Sequence, residues 1–210
     1  MAGEDRSVNE SPLRFAPTPS PEDLERANLY GVLARLYYAP PDAQLLAALA
    51  NAPEGAAGEH TPLGEAWRAL VESCRSAFPV MLENEHTALF VGTGKAAVTP
   101  YLSNYMLRHQ SDTPLAELRE ALRALGIARR EGVGEYEDHV AGAMETMRYL
   151  IAVQRRSLEE QRDFFARFVY DPGVAFCGAV SDSEHASFYK RVARVTRIFL
   201  DVEKNAFSML

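Results

Sequence analysis

Apolar residues recur along this chain at intervals of three and four, the period of an α-helix with one buried face. The first such stretch follows Ser20-Pro21-Glu22-Asp23, which supplies an N-cap, a proline at the first helical position and acids facing the positive helix end. A helix is predicted from there to about Tyr38, burying Leu29, Val32, Leu33, Leu36 and Tyr37, until Pro40-Pro41 stops it. The same grammar returns at Thr61-Pro62 before Trp67 and Leu70, and at Thr113-Pro114 before Leu115, Leu118, Leu122 and Leu125. Gly126 then ends that helix.

A helix from 136 to about 157 would place Tyr136, Val140, Ala143, Met144, Met147, Leu150 and Ile151 on one face. A final helix from about Ser183 would bury Phe188, Val192, Val195, Phe199 and Val202. Gly92-Thr93-Gly94-Lys95 through Thr99-Pro100 reads as a loop, and Gly173 to Val180 reads equally as helix or buried loop. No segment alternates with period two, so the expected fold class is all-α, a helical bundle. Residues 1 to about 20, rich in Pro, Ser, Glu and Asn, read as a disordered arm ahead of one helical domain over 21–210.

Composition narrows the function. A length of 210 residues with 47% hydrophobic positions suffices for a real core, and a formal charge of -7 argues against nucleic acid as partner. Cys74 and Cys177 stand alone and read as buried, reduced thiols. A secretory signal and a membrane span are both lacking in the pattern, so the expected location is the cytoplasm.

Catalytic motifs fail on inspection. Gly92-Thr93-Gly94-Lys95 resembles the end of a phosphate loop, but Ala96 stands where Ser or Thr is needed and no strand precedes it. Glu83-Asn84-Glu85-His86 has the Glu-x-x-His spacing of helical metal sites, with Asp182-Ser183-Glu184-His185 a poor second half, and solvated helix charge is the plainer reading. A helical metalloenzyme using Glu83, His86 and His185 stays open as an alternative. No cofactor, metal or catalytic residue is otherwise expected.

Three segments together resemble the TorD/DmsD/NarJ family of chaperones for molybdenum-containing oxidoreductases. They are Glu83 to Gly92 followed by Pro100-Tyr101-Leu102-Ser103-Asn104-Tyr105, then Glu135-Tyr136-Glu137-Asp138-His139-Val140 with Glu145-Thr146-Met147, then Phe188-Tyr189 leading to Phe199-Leu200. Leu102 stands where the family often has Glu, and Trp67 is the only Trp. The resemblance implies two loosely divided helical lobes with a hinge about 126–138. It also implies binding of the twin-arginine signal, or the apo form, of a catalytic subunit in the cytoplasm, delaying export until the cofactor is inserted. A NarJ-like assembly chaperone for an unexported oxidoreductase is the neighbouring reading; monomer and dimer are both allowed.

For the apolar part of such a signal the candidate groove is Phe90, Pro100, Tyr101 and Tyr105, although these residues suit a core as well. For the arginine pair the candidate is Asp138, helped by Glu135 and Glu137, since a carboxylate accepts two parallel guanidinium hydrogen bonds. His139 would bond a neighbouring segment or the peptide. The plainer alternative makes Asp138 a helix cap and His139 a structural histidine.

Overall fold

Ser20 opens α1 (Pro21–Tyr38) as the sequence predicts: its hydroxyl accepts the Asp23 amide while the Asp23 carboxylate reaches back, a reciprocal capping box. The computed structural model describes residues 18–52, 60–92, 96–106, 113–129, 132 and 134–210. The residues of the phosphate-loop-like motif from 93 to 95, and those of the N-terminal arm up to 17, lie outside the described residues. Among the described residues the regular elements are helical, and the one extended pairing is an isolated antiparallel bridge between Tyr101 and His139.

After α1 come α2 (Ala43–Ala50), α3 (Pro62–Arg75) and α4 (Pro79–His86). Asp42 caps α2 by accepting the Leu45 amide; this helix has no alternating stripe of apolar and polar residues to betray it. A single π-turn, Thr87–Val91, continues α4, closed by the Gly92 amide donating to the Thr87 carbonyl at 2.7 Å. The wider turn puts Leu89 and Phe90 in the core together. Then follow a 3-10 turn, Leu102–Tyr105, and α5 (Pro114–Ala124). Gly126 leaves α5 in the left-handed region with φ of 70°, as its glycine predicts.

The remaining helices are α6 (Val140–Ala152), α7 (Leu158–Phe168), α8 (Tyr170–Asp182) and α9 (Phe188–Phe207). Three corrections to the sequence reading follow. Helix α6 is shorter at both ends than 136 to 157, because the bridge to Tyr101 holds residue 139 extended and Arg155 turns left-handed at φ 52° before Ser157 starts α7 with its own capping box. Tyr136, expected on its buried face, is 55% exposed. The last helix begins at Phe188 and leaves Val202 exposed.

The undecided stretch from Gly173 to Val180 is helix α8. Pro172 falls in its first turn, where a missing N–H costs nothing, and a Cβ on Gly173 would meet the Leu200 methyl at 2.9 Å. Glycine there lets α8 lie close on α9.

Helix α1 packs along α6, while α9 packs against α3 and α8. A Cβ on Gly31 would meet the flexible Arg148 side chain, its Cδ at 2.9 Å. The buried hydrophobic residues form a cluster running from Ala27 in α1 to Phe207 in α9. Its largest members include Tyr30, Tyr37, Leu36, Met144, Phe176 and Tyr189; removing a side chain such as Leu36 to Ala would cost about 2–5 kcal/mol.

Several polar groups inside this core are matched, while the buried Trp67 indole N–H has no hydrogen-bond partner among the described residues. The Thr196 hydroxyl donates to the Val192 carbonyl at 2.8 Å, so the Tyr37 hydroxyl must donate to it at 3.0 Å. Tyr189 donates to the Leu36 carbonyl at 3.0 Å. Glu203, 2% exposed, takes the Arg26 guanidinium at 2.7 and 2.9 Å and the Tyr30 hydroxyl at 3.0 Å, pinning α1 to α9.

Candidate functional site

Two of the segments singled out in the sequence meet in space. The Leu102 amide donates to the Asp138 carbonyl and the Val140 amide to the Pro100 carbonyl, both at 2.8 Å. Side chains repeat the join. Tyr101 donates to Glu135 at 2.6 Å, and the Ser103 hydroxyl makes a very short hydrogen bond to Asp138 Oδ2. The Glu135 bond, followed by burial, pushes the Tyr101 phenol up to about 12, so it stays a donor at neutral pH.

Each candidate residue now has a place. Asp138 is 4% exposed; its Oδ2 is taken by Ser103 and its Oδ1 has no hydrogen-bond partner among the described residues. It does not cap α6. That role falls to His139, whose Nδ1 accepts the Ala141 amide at 3.1 Å, which places the neutral ring's proton on Nε2. Burial holds the His139 imidazole below its usual pKa, against the raising pull of Glu135 and Asp138.

Glu137 meets Arg119 at 3.0 Å. Burial works to raise the Glu137 carboxyl, but its own backbone N–H and Arg119 together hold it below the usual carboxylate range. Glu135 is half-buried, and beyond the Tyr101 bond its side chain has no ion pair among the described residues. The Arg129 guanidinium donates instead to the Glu135 carbonyl at 3.1 Å.

Two open cavities flank this segment. One, of about 680 Å³, lies over the π-turn and the 96–105 loop and is lined by Phe90, Val98, Pro100, Tyr101 and Tyr105. The other, of about 370 Å³, lies along α1 and α6 over Gly31, Ala34, Ala141 and Gly142. Tyr38, Glu135 and His139 line both, so they form the ridge between them.

Of the four groove candidates, Phe90 is the deepest: 7% exposed, with its ring against Tyr37, Phe176 and Tyr189, it serves both core and cavity floor. Pro100 is buried, while Tyr101 and Tyr105 are half-buried. Tyr105 donates to the Thr99 carbonyl at 3.0 Å, and burial pushes its phenol up to about 12. Sequence reasoning missed Tyr38, Ser103 and Val98. Tyr38 was legible only as the last residue of a helix, Ser103 only as a member of the Pro100 to Tyr105 element, and nothing local marks Val98.

The metal-site alternative does not assemble. Glu83 and His185 are exposed, whereas His86 is buried, contrary to the solvated-charge reading. Its Nε2 bonds the Tyr37 carbonyl at 3.3 Å, the ring lies between Phe90 and Tyr189, and burial lowers its pKa. Among the described residues, no three His, Cys, Asp or Glu side chains are grouped to hold a metal ion. Burial pushes the Cys74 thiol up to about 11 and the Cys177 thiol to about 12, so neither is a ready nucleophile.

Glu85, from the same motif, has a long-range structural role. Its carboxylate accepts the amides of Ser187 at 2.7 Å, Phe188 at 3.2 Å and Tyr189 at 2.8 Å, capping α9 from α4.

Likenesses to known proteins point one way. The family described as nitrate reductase delta subunit matches residues 56–170. The chaperone protein TorD of Shewanella loihica is 26% identical over 201 residues, covering 89% of this chain and 95% of its own. In fold, a redox enzyme maturation protein of Archaeoglobus fulgidus superposes with a TM-score of 0.53 at 20% identity, covering 84% of this chain and 93% of its own. The fold and these likenesses agree on a chaperone family, not an enzyme family. The chain belongs to the nitrate reductase delta subunit family, the TorD/NarJ group of chaperones for molybdenum-containing oxidoreductases. Among the described residues no helix is long and apolar enough to cross a membrane.

Proposed function

We propose that this chain works in the cytoplasm by holding the N-terminal twin-arginine signal of a molybdenum-containing oxidoreductase's catalytic subunit, delaying export until the cofactor is in place. The observation that carries this reading is the ridge of Tyr38, Glu135 and His139 between two cavities with apolar linings. A signal has an apolar, helix-prone part and a cationic pair. The cavity over Tyr101 and Tyr105 suits the first, as a helix laid in a groove. Glu135, half-exposed at its edge, suits the second.

Asp138 then has a different part from the one its sequence position suggests. Buried and bonded to Ser103, it fixes the loop that presents Glu135 and Tyr101. The work is done by mass action: an occupied signal cannot engage the export machinery. In this reading the segment from about 126 to 138 would be the hinge about which two lobes adjust to the client.

Calorimetric titration of the full chain with a synthetic twin-arginine signal peptide tests this. Glu135→Gln, which can still accept the Tyr101 hydroxyl, should weaken binding about fivefold and flatten its salt dependence. Unchanged affinity and salt slope would remove Glu135 from the site. The family's description as a nitrate reductase delta subunit supports a second reading, assembly of an unexported oxidoreductase. There the apo subunit would bind while the isolated peptide would not.

A further inference from the structure

The smaller cavity, along α1 and α6, has so far been given no occupant. Small residues make its floor, Gly31, Ala34, Ala141 and Gly142, and two tyrosines stand in its wall with much of their rings in water, Tyr38 at 52% and Tyr136 at 55% exposure. A Cβ on Gly142 would come within 3.0 Å of the Glu137 carbonyl oxygen, so glycine there keeps the floor low. A slot of about 370 Å³ with such a floor suits the methylene stem of one long side chain whose polar end stays at the mouth.

The charges at the mouth are mostly spent on one another. Arg119 holds Glu137, Arg148 holds Glu145, and Arg35 reaches Asp42. Two lining groups differ. Glu135 accepts the Tyr101 hydroxyl on Oε2, and its Oε1 has no partner among the described residues. Arg129 has no carboxylate there and donates to the Glu135 main-chain carbonyl at 3.1 Å. Net charge at this mouth therefore selects nothing by itself. What the pair does show is a guanidinium already seated at the rim, beside a carboxylate oxygen that it leaves unused. The tyrosine faces are unused as well, since the cation–ring contacts among the described residues fall on Phe207, Phe168 and Tyr170.

We propose that this cavity is a pocket for one arginine side chain, its stem on the small-residue floor and its guanidinium stacked on Tyr136 and bonded to Glu135 Oε1, and that Arg129 partly fills the pocket in the free chain. The proposal rests on the signal-binding reading for the source of that arginine. It adds a reason for arginine over lysine: a planar guanidinium stacks on a ring and bonds a carboxylate along its edge at once, whereas a compact, strongly hydrated ammonium does neither as well.

Calorimetric titration of the full chain with two signal peptides, one carrying Arg-Arg and one Lys-Lys at the same place, tests this. The Arg-Arg peptide should bind about fivefold tighter. Tyr136→Leu, at an exposed position, should weaken Arg-Arg binding about two- to fivefold and leave Lys-Lys binding unchanged, while Tyr136→Phe, which keeps the ring, should keep the preference. Arg129→Gln should tighten Arg-Arg binding about twofold or more, and Arg123→Gln, an exposed cation that does not line the cavity, should do less. A loss shared equally by both peptides in Tyr136→Leu, or equal effects of Arg129→Gln and Arg123→Gln, overturns the proposal. Failure of both peptides to bind the unaltered chain is instead a failure of the signal-binding reading. The pocket is then decided by nuclear magnetic resonance with acetyl-Arg-Arg-amide and acetyl-Lys-Lys-amide, which lack the apolar stretch. Shifts of the Tyr136 ring protons with the arginine compound alone support the pocket, and equal shifts or none overturn it.

Discussion

Replacing Glu85 by Ala removes the acceptor that α4 supplies to the first three amides of α9. Ser187 is exposed and its amide turns to water, but Phe188 and Tyr189 are buried, 4% and 0% exposed, and their amides lose a charged acceptor. Hydrogen bonds to charged groups contribute about 1.5–3 kcal/mol each, and the 3.2 Å bond of Phe188 belongs at the weak end. A total near 3 kcal/mol is expected for Glu85→Ala. Glu85→Gln, which keeps one carbonyl acceptor, should cost about 1 kcal/mol. In urea unfolding followed by far-UV circular dichroism, an m-value of about 2 kcal/mol/M turns these into midpoint decreases of about 1.5 M and about 0.5 M, with m unchanged. A drop below about 0.3 M for Glu85→Ala would mean that α9 does not depend on this cap.

Three further predictions follow from the same geometry. Burial lowers the pKa of His86 and of His139, so the unfolded chain binds more protons than the folded one just below the ordinary value of 6.5. Stability should therefore be full above pH 6.5 and fall as pH drops through the folded values; His139→Asn, which can still cap α6, should shallow that fall in pH-dependent urea midpoints. Arg26→Met strands the buried Glu203 carboxylate and should cost about 3 kcal/mol, part of it recovered in the Arg26→Met, Glu203→Leu double variant, which in turn leaves the buried Tyr30 hydroxyl without its acceptor. No recovery in the double variant would show that packing, not charge, holds α1 to α9. Ser103→Ala leaves Asp138 without its donor and should cost about 1–3 kcal/mol, while thermal melts matching the unaltered chain would contradict the role given to that bond.

Local chemistry announced much of the bundle. Prolines behind Ser20, Thr61 and Thr113 mark true helix starts, and the stripes through Leu33-Leu36-Tyr37 and Leu118-Leu122 face the core. Helix α2 escaped because its eight residues carry Ala and Leu on every side and no periodic contrast, although Asp42 after Pro41 was a usable cap signal. The start of α6 was misplaced for a non-local reason: backbone bonds from Leu102 to Asp138 and from Val140 to Pro100 hold the chain extended where propensity continues the helix.

The candidate site divides in the same way. The Pro100 to Tyr105 and Glu135 to His139 segments were legible as acidic and aromatic clusters, and the structure brings them together. Which acid faces outward was not legible. That depends on Ser103 meeting Asp138 and on Tyr101 meeting Glu135, contacts between residues 35 and 34 positions apart. Glu85 read as helix charge because its three amide partners lie more than a hundred residues away.

The most direct measurement of the chaperone account is gentle co-purification of this chain from its native host, with and without Glu135→Gln, and identification of the bound protein by mass spectrometry. The account predicts recovery of a cofactor-free catalytic subunit of a molybdenum-containing oxidoreductase that retains its twin-arginine signal, and less of it with the variant. Recovery of no oxidoreductase subunit, or of equal amounts of a mature, cofactor-loaded one with both proteins, would contradict it.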